Sequence, residues 1–157
     1  MDPLLKQYLQ KHHINYEKYD HPPVFTVEQS KKIKLNIPGI HTKNLFLKDE
    51  NSAFYLICMP AEKRLNILSI RKKFNLKKLQ FASPLELKSQ LNLTPGSVSP
   101  FGMIYSTSVY LIIDKKIWLA EKTGFHPNIN TSTIVLTHDN LKKFYNSLKV
   151  KKEVLEL

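Results

Sequence analysis

The stretch Ser108-Val109-Tyr110-Leu111-Ile112-Ile113 is the clearest indication of the fold, because β-branched and aromatic residues follow one another without a charge. A short apolar run of this kind predicts a strand buried in a central sheet. Residues 44–48 and 53–59 predict two strands joined by a polar turn at residues 49–52, and residues 132–136 predict another. Helical patterns lie between the strands without strict alternation. We therefore predict an α+β fold with a mixed, partly antiparallel central sheet flanked by helices.

Capping residues mark where the helices begin. Asp2-Pro3, Thr26-Val27-Glu28-Gln29 and Ser83-Pro84-Leu85-Glu86 each place a side-chain acceptor before a first helical turn. Thr137 does the same for a C-terminal helix, with Asp139 favourably placed in its first turn. These caps predict helices over residues 3–12, 27–35 and 84–91 and from residue 138 onward.

The remaining segments carry weaker patterns. Residues 66–74 predict a short basic helix, and residues 16–19 and 117–120 predict short strands. The basic tail beyond residue 148 is expected to fray. Neither a linker rich in Gly, Ser or Pro nor an internal repeat divides the chain, so we expect residues 1–157 to form one domain.

Composition is typical of a globular protein in a reducing compartment. Hydrophobic residues make up 42% of the chain and charged residues 24%. Cys58 is the only cysteine, which excludes an internal disulfide. No apolar run approaches the roughly 20 residues of a membrane helix, and residues 1–7 lack the pattern of a signal peptide. We therefore expect a cytoplasmic protein without a membrane partner.

The charge of the chain favours a polyanionic partner. The formal net charge is +11, and nucleic acid is the first candidate for a protein this basic. All but two of the 24 basic residues are lysines, which AT-rich codon usage would also produce. Clustering is the better indicator, because no acid interrupts residues 63–78 and such a run can follow a phosphate backbone. Its basic residues are Lys63, Arg64, Arg71, Lys72, Lys73, Lys77 and Lys78.

Several catalytic motifs are missing from the chain. There is no Walker A loop, no Gly-x-Gly-x-x-Gly, no His-Glu-x-x-His and no Gly-x-Ser-x-Gly elbow. The six histidines do not pair with cysteines or carboxylates at zinc spacing. Cys58 lies in an apolar strand, where a cysteine usually packs rather than reacts. We therefore expect that a hydrolase with this sequence would work without a metal, a cofactor or a covalent intermediate.

The loop Gly96-Ser97-Val98-Ser99-Pro100 is the first candidate for chemistry. Gly96 can adopt a positive φ, and Pro100 fixes its own φ and lacks an N–H. Between them, the amides of Ser97, Val98 and Ser99 could converge on a carbonyl oxygen, where each donor is worth about 3 kcal/mol. By itself, the same pattern also describes an ordinary loop after a helix.

Two further residues are candidates for the site only because of the motifs in which they lie. Lys43 precedes an apolar strand, where a lysine is usually a solvated charge. His126 precedes Pro127, and an isolated histidine more often has a structural role. Yet Thr42-Lys43-Asn44-Leu45-Phe46, the loop at residues 96–100 and Phe125-His126-Pro127-Asn128 occur in one chain, in this order. With Phe81-Ala82-Ser83-Pro84 and residues 93–102, they resemble the YbaK/ProX superfamily of aminoacyl-tRNA deacylases over residues 21–144.

The resemblance implies roles for these residues. The loop Gly96–Pro100 would hold the carbonyl and amino end of the aminoacyl group. Lys43 would hold the terminal phosphate or orient the ester, with a role as base as the alternative. His126 would orient water or bind the ribose. The other residues implied to shape or line the substrate pocket are Val24, Phe25, Thr42, Asn44, Asn128 and Asn130.

The resemblance also implies an activity, that of the freestanding branch that hydrolyses mischarged Ala-tRNA(Pro). The partners would be the acceptor end of tRNA(Pro), with the basic segment on its phosphates, and prolyl-tRNA synthetase as a second candidate. The family often carries Asn-Asp after Phe101-Gly102, where this chain has residues 105–108 as Tyr-Ser-Thr-Ser, so the preferred amino acid can differ. The alternatives are a deacylase for Cys-tRNA(Pro) or another small aminoacyl-tRNA, a catalytically silent tRNA-binding module and a structural protein.

Overall fold

A mixed sheet forms the centre of the molecule. The computed structural model describes residues 1–24 and 26–157, and in this part of the chain eight strands join in the order β1-β7-β6-β2-β3-β5-β8, with β4 paired to β2. The strands are β1 Glu17–Asp20, β2 Ile40–Asp49, β3 Phe54–Pro60, β4 Leu79–Phe81, β5 Tyr110–Asp114, β6 Lys122–Phe125, β7 Ser132–Thr137 and β8 Lys152–Leu155. The helices are α1 Pro3–Lys11, α2 Val27–Lys34, α3 Ile67–Lys73, α4 Pro84–Leu91, α5 Lys115–Leu119 and α6 His138–Ser147, with a 3₁₀ helix at Pro100–Tyr105.

Strand β2 is the longest strand and has different neighbours along its two edges. On one edge it pairs antiparallel with β3 from Thr42 to Lys48. On the other edge it pairs with β6 only at Ile40 and His41, and with β4 only from Leu47 to Asp49. Residues 42–46 of β2 therefore have no strand beside them on that edge within the described chain. This gap in the sheet positions the candidate site.

Side chains that alternate along β3 build two cores, one on each face of the sheet. Leu56 and Cys58 belong to the larger cluster, which also takes residues from α1, α4 and α6. Ile57 and Met59 belong to a smaller cluster closed by Ile70 of α3. Burying an aliphatic side chain of this size contributes about 1.5–3 kcal/mol, so both faces hold the sheet in place.

The predicted fold class and the capped helices are confirmed. Asp2 accepts a hydrogen bond from the Leu4 amide at the start of α1, 3.0 Å away. Ser83 and Glu86 form the reciprocal capping box of α4, with bonds of 3.1 and 2.9 Å. No helix within residues 1–24 and 26–157 is both long and apolar enough to cross a membrane.

Two local predictions were wrong. Residues 117–120 do not form a strand but fall largely within the short helix α5, which starts because the Asp114 carboxylate accepts from the Lys116 amide at 3.1 Å. The C-terminal tail does not fray. Its residues Lys152–Leu155 form β8 and pair parallel with β5, in a register that sets Val154 beside Ile113.

Gly39 supports a prediction about stability. Its φ is +91°, and a Cβ there would lie 2.6 Å from the Lys122 carbonyl oxygen. We expect Gly39→Ala to lower the free energy of unfolding by about 2–4 kcal/mol, since backbone strain and a clash with main chain add. The control is Gly96→Ala, where φ is +87° but the nearest atom would be 4.0 Å away, so strain acts alone. Equal losses for the two variants in urea unfolding would contradict the role of the clash.

Candidate active site

Two clefts flank the open edge of β2. The first cleft has a volume of about 170 Å³ and lies between α2 and strands β6 and β7. The second cleft, of about 230 Å³, lies between β2, the start of α4 and the loop that begins at Gly96. Residues that line the first cleft include His21, Val24, His41, Thr42, His126 and Thr133. Residues that line the second include Asn44, Phe46, Phe81, Pro84, Gly96 and Val98.

The surroundings of His126 favour a neutral ring with its hydrogen on Nδ1. Its Nδ1 lies 3.3 Å from the Ser132 carbonyl oxygen, and because a carbonyl only accepts, Nδ1 carries the hydrogen. Burial lowers the pKa of His126, and the positive charges that His21, Lys34 and His41 can carry lower it further. The neutral ring then has a lone pair on Nε2, which can accept a hydrogen bond from water or a ribose hydroxyl.

Two more histidines of the first cleft were not singled out from the sequence. His21 donates through Nδ1 to the Pro22 carbonyl oxygen at 3.0 Å, and its Nε2 lies 2.9 Å from the Thr133 hydroxyl. His41 donates through Nε2 to the Ile37 carbonyl oxygen at 3.3 Å, and burial lowers its pKa. Both residues lie within residues 21–144, the range over which the family resemblance runs, and that range is the signal that could have indicated them.

The two ends of the loop at residues 96–100 have the backbone that their residue types indicate, but one of its three predicted amide donors is already used. Gly96 has a positive φ, and Pro100 opens the 3₁₀ helix. The Ser97 amide already donates to the Thr94 carbonyl oxygen at 3.1 Å, so Val98 and Ser99 remain as candidate donors to a substrate oxygen. The buried Ser99 hydroxyl donates to Oδ1 of Asn128 at 2.9 Å and thereby ties this loop to the segment that follows His126.

Asn128 and Asn130 both approach this loop. Asn128 adopts a φ of +62°, a left-handed conformation that asparagine tolerates. Its Nδ2 donates to Asp2 at 3.2 Å, which fixes the side chain that receives the Ser99 hydroxyl. Nδ2 of Asn130 lies 4.0 Å from the point where a Cβ on Gly96 would stand. The structure therefore brings both predicted asparagines next to the predicted loop.

Strand β2 presents the residues around Lys43. The Thr42 hydroxyl donates to the Gly124 carbonyl oxygen at 2.8 Å, beside the first cleft. Oδ1 of Asn44 is buried beside the second cleft and has no hydrogen-bond partner among residues 1–24 and 26–157. Lys43 is half-buried, lines neither cleft, and projects from the opposite face of β2, the face on which its register partner Met59 lies. Within the described residues it has no carboxylate partner, so its charge is available to a ligand.

The other predicted pocket residues separate into two groups. Val24 lines the first cleft beside His126. Phe25 lies outside the described residues. The first cleft thus joins Val24, Thr42 and His126, while the second joins Asn44, Gly96 and Val98.

The basic residues of segment 63–78 do not all remain free for a ligand, because some of them already bind groups of the protein. Lys63 forms an ion pair with the buried carboxylate of Asp114 at 3.2 Å, so its charge is already used within the protein. Arg71 donates to the Lys77 carbonyl oxygen, and the Glu50 carboxylate accepts from the Lys77 amide at 2.9 Å. Five exposed cations of the segment remain as candidates for phosphate contacts: Arg64, Lys72, Lys73, Lys77 and Lys78.

Comparison with known proteins establishes the family. The profile described as "Aminoacyl-tRNA editing domain" matches residues 21–144, and the chain belongs to this family. It is 35% identical over 133 residues to the prolyl-tRNA editing protein ProX of Acetoanaerobium sticklandii, which covers 83% of this chain and 81% of that protein. It is 28% identical over 144 residues to prolyl-tRNA synthetase associated domain-containing protein 1 of Danio rerio, covering 89% and 78%. These matches confirm the resemblance to the YbaK/ProX superfamily.

A solved structure supports the fold independently. The crystal structure of a candidate trans-editing enzyme for prolyl tRNA synthetase superposes with a TM-score of 0.76 at 16% identity. The match covers 100% of this chain and 98% of that one. At this level of identity the similarity establishes the shared α+β architecture.

Proposed function

We propose that the protein hydrolyses the ester of mischarged Ala-tRNA(Pro) in trans and so removes errors of prolyl-tRNA synthetase. One observation carries the proposal. Nε2 of a neutral His126, which can accept a hydrogen bond, lies on one side of the open edge of β2, and the loop Gly96–Pro100 lies on the other. The chain that holds both belongs to the aminoacyl-tRNA editing family. Similarity to a protein named as a prolyl-tRNA editing protein supports the choice of tRNA.

The need for such a reaction follows from binding energetics. A synthetase pocket built for proline cannot strongly reject the smaller alanine, because each missing methylene changes binding by only about 1–3 kcal/mol. A second site that is too small for proline discriminates in the opposite direction. The first cleft, which contains His126, is the candidate for the aminoacyl side chain.

The chemistry uses groups that stand in place before the substrate arrives. The amides of Val98 and Ser99 polarise the ester carbonyl and stabilise the charge that develops on its oxygen. His126 accepts a hydrogen bond from the attacking water or from a ribose hydroxyl. Lys43 supplies a positive charge to the terminal phosphate or to the ester. We propose that these groups suffice without a metal ion.

A panel of three substrates tests the proposal. We expect single-turnover deacylation of Ala-tRNA(Pro) to be at least tenfold faster than that of Cys-tRNA(Pro) or Pro-tRNA(Pro), since the proposed editing site rejects side chains larger than that of alanine. Fast loss of cysteine instead would keep the mechanism and change the substrate. Tight tRNA binding without hydrolysis of any ester would contradict the enzyme and leave a binding module.

Salt dependence tests the tRNA contacts. If the five exposed cations of residues 63–78 meet acceptor-stem phosphates, the logarithm of affinity falls with the logarithm of salt with a slope of about −4. Lys72→Glu should weaken tRNA binding several-fold at low salt, whereas Lys142→Glu, an exposed helical lysine outside the segment, should not. Affinity that stays constant over a tenfold increase in salt would overturn this assignment.

The cellular context follows from the same proposal. Mischarged tRNA is a substrate of the translation machinery, so we place the reaction in the cytoplasm. Prolyl-tRNA synthetase is the candidate protein partner, because it produces the error that the reaction removes. We propose that residues 1–157 act as a single editing domain.

A further inference from the structure

We propose that Asp2 is a positioning residue, which holds the loop Gly96–Pro100 in shape through the side chain of Asn128. The inference rests on the proposed function, because that function assigns the reacting ester to this loop. Asp2 lies outside residues 21–144, the part of the chain that the editing-domain profile matches. The family match therefore gives Asp2 no role, and its role follows from three contacts near the start of the chain.

Helix α1 carries Asp2 to the site. Leu5 and Leu9 of α1 are fully buried in the larger cluster, which also contains Phe101 of the 3₁₀ helix. Because two leucines anchor α1 in the same core as the 3₁₀ helix, the start of α1 keeps its place beside the end of the loop Gly96–Pro100.

The Asp2 carboxylate divides its two oxygens between two tasks. Oδ1 accepts from the Leu4 amide at 3.0 Å and so caps α1. Oδ2 accepts from the Tyr105 hydroxyl at 2.5 Å and from Nδ2 of Asn128 at 3.2 Å. Hydrogen bonds to an ionised acceptor are stronger than those between neutral groups. One carboxylate thus joins the start of α1, the end of the 3₁₀ helix and the segment that follows His126.

The carboxylate also decides which way the Asn128 amide points. An ionised carboxylate only accepts, so Nδ2 of Asn128 must face Asp2 and Oδ1 must face Ser99. The Ser99 hydroxyl oxygen already accepts from the Phe101 amide at 3.0 Å, and its one hydrogen goes to Oδ1 of Asn128 at 2.9 Å. A reversed amide would set Oδ1 of Asn128 against the carboxylate, oxygen against oxygen. Asp2 therefore fixes the acceptor that Ser99 uses.

These bonds hold Ser99 from two sides. Its side chain is fully buried, and its main-chain carbonyl accepts from the Gly102 amide at 3.2 Å. With its side chain and its carbonyl both engaged, Ser99 keeps the direction of its amide, which is one of the two donors proposed to polarise the ester. Stabilisation of charge in the transition state depends on the placement of such donors. Loss of the Asp2 contact should therefore lower kcat more than it changes KM.

The roles of donor and acceptor in this network persist over the working range of pH. Burial raises the pKa of Asp2, but hydrogen bonds from Tyr105, Asn128 and the main chain outweigh this effect and lower the pKa below its ordinary value. Burial and the bond to Asp2 raise the pKa of Tyr105 to about 12. Asp2 thus stays ionised and Tyr105 keeps its hydrogen, so the network does not titrate between pH 5 and 9.

An exchange of the two side chains tests the connection. Asn128→Asp keeps the acceptor for Ser99 and tolerates the left-handed backbone, but it sets two carboxylates face to face. We expect it to lower kcat for Ala-tRNA(Pro) about tenfold, with KM changed less than about threefold. Adding Asp2→Asn places an amide nitrogen opposite the new carboxylate, while the amide oxygen keeps the cap of α1. The double variant should recover kcat to within about threefold of the wild type.

NMR gives a second measurement that does not depend on catalysis. The main-chain ¹H–¹⁵N signals of Val98 and Ser99 should shift in Asn128→Asp and return toward their wild-type positions in the double variant. The control is Thr137→Ala, which removes the cap of α6 and lies outside both clefts. It should lower the urea midpoint through the lost cap, and leave kcat and both loop signals unchanged.

The outcomes separate this inference from the proposed function. A double variant as slow as Asn128→Asp overturns the inference and shows that Asn128 contacts the substrate itself. Wild-type kcat and unshifted loop signals in Asn128→Asp overturn it as well. A wild-type protein that hydrolyses no ester, while the loop signals shift and return as expected, keeps the connection and loses the proposed function.

Discussion

Lys43→Ala should lower kcat/KM for deacylation of the mischarged tRNA by about 100-fold. The Lys43 side chain is half-buried on the face of β2 opposite to Thr42 and Asn44, and no carboxylate of the described chain neutralises it. Hydrogen bonds to charged groups in such partly desolvated places contribute about 1.5–3 kcal/mol. Because Lys43 lines neither cleft, we expect it to hold the phosphate rather than the reacting ester, and the loss to appear mainly in KM.

Single-turnover kinetics over a range of enzyme concentrations separate these possibilities. Lys43→Arg keeps the charge and should recover most of the KM. Lys18→Ala removes an exposed lysine of β1, far along the sheet from β2, and should have no effect. A loss confined to kcat would assign Lys43 to the ester, where it would orient the group or act as a base. A loss below threefold would remove Lys43 from the site.

The parts of the fold that sequence predicts well are those whose cause is local. The box formed by Ser83 and Glu86 starts α4 as predicted, because both bonding partners lie within one turn. Strands β4, β6 and β8 were missed because they have three or four residues each and few apolar ones. These segments become strands only because they pair with other strands that are distant in sequence. Gly124 shows this, since it is held in β6 by pairing with His41 of β2 on one side and Val135 of β7 on the other.

Features of the candidate site with a local cause were also predictable from the sequence, and features that depend on distant residues were not. The positive φ of Gly96 was predictable from the residue type alone. That the Ser99 hydroxyl bonds to Asn128 was not, because the two residues are 29 positions apart. Charge has the same limit, as Lys63 is neutralised by Asp114, 51 positions away. The sequence therefore predicts the segments of the candidate site, whereas the partition into two clefts and the absence of a carboxylate partner for Lys43 among the described residues required the sheet.

His126→Ala should lower kcat by about 100-fold and change KM little, because the lost group acts on water or a ribose hydroxyl in the reaction step. The effect should depend on pH. Burial lowers the pKa of His126, so the ring stays neutral and Nε2 accepts at pH 7 and somewhat below the ordinary histidine value of about 6.5. As the pH falls through the lowered pKa, Nε2 becomes protonated, and the wild-type enzyme loses the advantage it has over the variant.

The ratio of wild-type to variant rate constants isolates this titration, because the chemical dependence of ester hydrolysis on hydroxide cancels. We expect a constant ratio from pH 8 to 7 and a decline toward one at acidic pH, with a midpoint below 6.5. His12→Ala, at the end of α1 and outside both clefts, should follow the wild-type profile. A large ratio that stays constant down to pH 5 would show that His126 only supports the Ser132 main chain, and that the accepting group lies elsewhere in the first cleft.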